Sequence, residues 1–101
     1  MTISANTQKL AKVMKALSHE KRLSLYLEIA EKQEAGFQDD ACHISEVTAL
    51  LKLSAPTISH HLKELVNADL ITTQKDGKFL TATINKATLK EVQVLFSSLL
   101  R

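Results

Sequence analysis

Two helix starts follow one another closely in the middle of the chain, and that arrangement restricts the fold more than any other feature. Ser45 is a good N-cap for a short helix with Val47, Leu50 and Leu51 as its apolar face and Glu46 near the positive end of its dipole; this helix ends near Lys52. Ser54 then caps a second helix. Pro56 sits in its first turn, where a missing N–H costs nothing, and Ile58, His61, Leu62, Leu65 and Val66 follow at helical spacing. Short, capped helices joined this tightly let the second one stand out from its domain and enter a DNA major groove.

The flanks complete the pattern. Upstream, Leu10, Val13, Met14 and Leu17 recur at helical spacing over residues 7–17, with Asn6 or Thr7 as N-cap. Ser18 is expected to cap a further helix with the apolar set Leu23, Tyr26, Leu27 and Ile29, fading near Gln33 before Gly36 breaks the pattern. Downstream, the β-prone runs 70–74 and 79–84 are joined by Lys75-Asp76-Gly77-Lys78, a hairpin signal. A last helix begins at Asn85 or Thr88 and carries Leu89, Val92, Leu95, Phe96 and Leu99 as one stripe. The expected fold is mainly α with a small β-hairpin, a winged helix-turn-helix in the order α-α-α-α-β-β-α. Residues 1–101 are read as a single domain of this kind.

Composition narrows the function. A chain of 101 residues has no room for a separate catalytic domain. Two glycines and one proline agree with dominant helix. No apolar run resembles a membrane span or signal peptide, and the one cysteine, Cys42, cannot form an internal disulfide, so a cytoplasmic location is expected. The net charge of +2 is small, but residues 52–101 hold seven Lys/Arg against four Asp/Glu. Ser59, His60 and His61 offer a nucleophile and bases, yet helical residues one and two apart do not face each other, so no enzyme is expected.

The polar side of the helix capped by Ser54 carries Ser54, Ala55, Thr57, Ser59 and His60, with Lys63 one turn later. Small side chains permit close approach to a groove; hydroxyls bond base edges or phosphates, and His60 reaches an acceptor such as guanine N7. Lys75 and Lys78 flank the hairpin tip, where cations neutralise phosphates. These eight residues are the candidate contacts with double-stranded DNA. The bland alternative is an ordinary surface helix and a solvated turn, on a protein-interaction module without specific DNA binding.

The segments Ala16-Leu17-Ser18-His19-Glu20-Lys21-Arg22-Leu23, Leu53-Ser54-Ala55-Pro56-Thr57-Ile58-Ser59-His60-His61-Leu62-Lys63-Glu64-Leu65, Ala68-Asp69-Leu70-Ile71 and Lys75-Asp76-Gly77-Lys78 resemble the ArsR/SmtB family of bacterial repressors. The resemblance spans roughly residues 9–85. It implies a homodimer with the terminal helices at its interface, which binds an operator and is released by an inducer. Leu10, Val13, Met14 and Leu17, with Leu89, Val92, Phe96 and Leu99, supply more apolar surface than a three-helix core needs, so they are the expected interface.

Many members of that family sense metals. Asp39, Asp40, Cys42 and His43 cluster before the helix capped by Ser45; where arsenic and cadmium sensors carry Cys-x-Cys, this chain has His43 and Ser45. A closed tetrahedral site needs about four ligands. Adjacent residues also point apart, so no metal or other cofactor is assigned; Cys42 and His43 stay as candidates for a metal- or thiol-responsive sensor. The last-helix site of the zinc sensors is absent, since that helix has no His and a single acid, Glu91. The inducer is not named by the sequence.

Overall fold

The computed structural model describes residues 3–35 and 42–100. Its elements are α1 (Ile3–Leu17), α2 (Glu20–Ala35), β1 (Cys42–His43), α3 (Ile44–Leu51), α4 (Ala55–Asn67), β2 (Ile71–Asp76), β3 (Phe79–Ile84) and α5 (Lys86–Leu99). The strands form one antiparallel sheet in the order β1-β3-β2. All the helices and the hairpin expected from the sequence are present. The two-residue strand β1 was not foreseen, because so short a run carries no alternation to detect.

Local chemistry moves several boundaries. α1 starts at Ile3, earlier than an Asn6 or Thr7 cap allows. Ser18 does not cap α2: its Oγ donates to the Lys15 carbonyl at 2.8 Å and closes α1 instead. The cap is His19, whose Nδ1 accepts from the Arg22 N–H at 3.4 Å. Ser45 likewise lies inside α3, whose cap position is His43. Pairing of Cys42 with Ala82 and His43 with Thr81 keeps the chain extended up to His43, so the helix begins at the next residue. Gly36, the expected break after α2, lies outside the described residues.

The core is contributed by α1, α2, α3, α4, β2 and β3. Leu25 and Ile29 of α2, Val47 of α3 and Leu65 of α4 meet Leu70 and Ile71 at the start of the sheet, all with at most 1% of their surface exposed. Each such side chain stabilises the fold by about 1.5–3 kcal/mol. Of the apolar set expected for α2, Tyr26 and Ile29 are buried, but Leu23 and Leu27 are exposed and Leu25 faces inward in their place. Apolar residues surround much of this helix, so periodicity does not choose its inner face. For α3, Val47 is buried, Leu51 is half-buried and Leu50 is 55% exposed.

The end of α4 directs the chain into the sheet. Asp69 adopts the left-handed conformation at φ 58°, its N–H donates to the Val66 carbonyl, and the Leu70 N–H reaches back to Leu65, both at 3.0 Å. This is a Schellman ending with Asp where Gly is usual, and the fully buried Leu65 and Leu70 supply its hydrophobic contact. In the hairpin, Asp76 pairs with Phe79, so the two-residue turn is Gly77-Lys78. Asp-Gly is therefore not its centre. Gly77, at φ 64°, takes the first central position, where a left-handed backbone suits glycine.

Two polar contacts tie helices to the sheet and to the turn that leads into it. Gln33 Oε1 accepts from the Ile84 N–H at 2.8 Å, and Thr88 Oγ1 donates to the Asp69 carbonyl at 2.6 Å. With Asn85 capping it through the Ala87 N–H, α5 is anchored at its N-terminal end. Beyond that end, Leu89, Val94, Phe96 and Leu99 are between 39% and 65% exposed. Among the described residues no helix is long and apolar enough to cross a membrane.

Leu65 sits where α4, the sheet and the Schellman ending converge. Leu65→Ala is expected to lower stability by about 2–5 kcal/mol, as cavity-forming core truncations do, read from the urea unfolding midpoint at unchanged slope.

Candidate nucleic-acid interface

The two sides of α4 differ sharply. Ile58, His61, Leu62 and Leu65 are buried, whereas Ser54, Ala55, Ser59, His60 and Lys63 are exposed and Thr57 is half-buried. Ser54 Oγ accepts from the Thr57 N–H at 3.3 Å and lies 2.8 Å from Thr57 Oγ1. These two hydroxyls thus hold the helix start together. Ser59, His60 and Lys63 are the side chains of this face most available to a ligand, and the helix N-terminus adds positive potential.

The wing stands beside them. An open groove of about 320 Å³ runs between α4 and the hairpin, lined by Ser59, Leu62, Lys63, Val66, Thr73 and Leu80. Val66, expected on the inner face, lies along this groove and is 36% exposed. Lys75 and Lys78 are exposed on the hairpin, and Lys78 Nζ is 5.9 Å from the Phe79 ring centroid. Phe79, half-exposed, stacks at 5.9 Å and 21° on His43 of β1. Sequence reasoning did not single out Thr73, which belongs to no motif and which only the sheet register brings to the groove side, or Phe79, which the same register sets beside His43 of β1 on the opposite face.

His61 is the inner member of the histidine pair. Arg22 donates to its Nδ1 from Nε at 3.4 Å, and burial, then the positive surroundings of His19, Arg22 and His60, hold its pKa below the usual 6.5. Its partner is Arg22 rather than Ser59. Tyr26, enclosed in the core, has its phenol pushed up to about 12 by burial and stays neutral.

The terminal helices separate into core and free faces. Val13, expected at a subunit interface, is 1% exposed and belongs to the core of its own protomer, so that expectation is corrected. Leu17 and Val92 pack partly against the same core and Leu10 is half-buried. Met14, Leu89, Phe96 and Leu99 remain exposed. Lys9 Nζ and Glu91 Oε2, 3.1 Å apart, link α1 to α5.

Among the described residues, no three His, Cys, Asp or Glu side chains lie together as a metal site. Asp39, Asp40 and the Cys42 side chain are outside the described residues.

A short helix, a turn and a projecting helix, followed by a two-stranded wing, define a winged helix-turn-helix domain of the DNA-binding type. The sequence model of the bacterial regulatory proteins of the arsR family matches residues 37–73. The arsenical resistance operon repressor of Staphylococcus aureus is 35% identical over 85 residues, covering 84% of this chain and 74% of that protein. The chain belongs to the ArsR family and is a DNA-binding transcriptional regulator, not an enzyme. An ArsR-like transcriptional regulator from Rhodococcus sp. RHA1 shares the fold at a TM-score of 0.72 and 24% identity, over 92% of this chain and 81% of that one. The homodimeric winged helix-turn-helix DNA-binding domain of a possible ArsR-family regulator from Mycobacterium bovis does so at 0.70 and 18%, over 96% and 84%. Membership disfavours the reading as an interaction module without specific DNA binding.

Because Ser54 holds the first turn of α4 through Thr57, Ser54→Ala is expected to cost about 1 kcal/mol in global stability, measured by denaturant unfolding.

Proposed function

We propose that this regulator is a cytoplasmic homodimeric repressor whose α4 helices enter successive major grooves of an operator and whose wings hold the flanking backbone. The observation that carries this reading is the exposed, small and hydrogen-bonding side of α4 bordering the same groove as the wing. Ala55 admits close approach; Ser59 and His60 read base edges; Ser54 and Thr57 present the helix N-terminus to a phosphate; Lys63, Lys75 and Lys78 bind backbone. An inducer releases the operator.

The second subunit follows from α5. Exposed Leu89, Phe96 and Leu99, with Met14 of α1, form an apolar surface that one protomer leaves open, and Leu10, Leu17 and Val92 lie at its inner edge. The homodimeric M. bovis domain of the same fold and the S. aureus repressor support this assembly and its repressing role. A two-fold axis then spaces the two α4 helices by about one DNA turn, ~34–36 Å.

Two measurements test the reading. Ser59→Ala or His60→Ala is expected to lose about 1–3 kcal/mol of discrimination between operator and random duplex, while Lys78→Ala weakens both alike and reduces the slope of log K against log salt by about 1. A Lys78→Ala change confined to sequence preference contradicts the role given to the wing. In sedimentation, Phe96→Glu is expected to convert a dimer to monomers; a monomeric unsubstituted chain at DNA-binding concentrations removes the two-fold arrangement.

A further inference from the structure

One polar joint interrupts the apolar packing where α1, α2 and α4 meet. Arg22, in the first turn of α2, donates from Nη1 to the Ala16 carbonyl at 3.1 Å and from Nε to His61 Nδ1 at 3.4 Å. Its guanidinium therefore bridges the end of α1 to the inner face of α4. The His19 ring, which caps α2, lies 4.8 Å from that of His61, and the His60 ring lies 5.9 Å from it. His60 stands on the exposed side of α4, so the joint and the groove-facing surface are separated by one residue.

A guanidinium is an obligate donor, and His61 satisfies it only while Nδ1 keeps its lone pair. The ring is then neutral with its proton on Nε2. A proton on Nδ1 places two cationic donors face to face, so the bond is lost and repulsion replaces it. The charged and titratable groups around His61 are Arg22 and His19 at the start of α2 and His60 on α4; α1 contributes the Ala16 carbonyl through Arg22.

We propose that Arg22 is a positioning residue for DNA reading, latching α4 to the α1–α2 corner through neutral His61, and that proton uptake by His61 opens the latch and lowers sequence-specific affinity. The inference rests on the DNA-binding reading above and adds an acid-sensitive control to it. His61 has a folded pKa below its unfolded 6.5, so the stability it contributes as a neutral ring is complete above that value and is lost as pH falls toward the folded one. Acid by itself adds positive charge and strengthens sequence-independent binding. Only the specific duplex is then expected to lose affinity in acid.

The test uses the full chain, a duplex enriched from a random library and a random duplex of equal length, followed by fluorescence anisotropy. Between about pH 7.5 and about pH 5.5 the enriched duplex is expected to lose about fivefold or more in affinity while the random duplex holds or gains. In His61→Asn the amide oxygen takes the place of Nδ1 and does not titrate; selectivity is expected to stay within about twofold at neutral pH and to lose its acid sensitivity. Arg22→Lys keeps the charge without the fork and is expected to lose about fivefold in selectivity. An unchanged acid response in His61→Asn, or full selectivity in Arg22→Lys, overturns the latch. Should either variant fold poorly, ¹⁵N NMR of the unsubstituted chain decides: an unprotonated Nδ1 of His61 at neutral pH supports the latch and a protonated one overturns it. Absence of any preference for an enriched duplex instead removes the DNA-binding reading, which the NMR result does not touch.

Discussion

Everything the molecule presents to a ligand depends on how α4 is buried. Ile58, Leu62 and Leu65 pack into the core that α2 and β2 also fill, and a helix buried along one stripe leaves the opposite stripe in water. Burying that face aims Ser59, His60 and Lys63 outward. The left-handed Asp69 then turns the chain directly into β2, so the wing rises beside the helix that it serves. Helix and wing flank one groove because one core and one helix ending hold both.

The terminal helices follow a different logic. α5 is tied down where it begins, through Asn85 and Thr88, and its distal apolar residues face away from the core. A 101-residue chain has a high ratio of surface to core, and a large apolar helix face left in water is covered most economically by another copy. The Lys9–Glu91 pair, both members 40% or more exposed, orients α5 against α1 more than it stabilises it. The regulator is thus built from a reading unit and an apolar appendage, joined where Thr88 meets the Asp69 carbonyl and where Lys9 meets Glu91.

Much of this was legible in the residues themselves. Ser54 and Pro56 mark the start of α4, and its buried face follows the expected period apart from Val66. Other readings failed for definite reasons. Ser18 and Ser45 are cap-type residues, yet His19 and the extended His43 occupy the cap positions, since a good cap residue competes with whatever the preceding backbone is already bonded to. Val13 and Met14 are neighbours in one apolar stripe, but one is enclosed in the core and the other is 39% exposed. Periodicity shows that such a stripe exists without showing what covers each part of it.

What the sequence by itself determined was local: where α4 and α5 start, that a hairpin turns within 75–78, and which side of α4 is polar. These signals arise from residues within a turn or two of each other, where caps, proline and glycine set the backbone directly. Tertiary structure decided which apolar faces point inward, that β1 joins β3, and that Arg22 meets His61 across 39 residues of chain. Those outcomes depend on elements distant in sequence competing for one small core, and no short window of residues contains that competition.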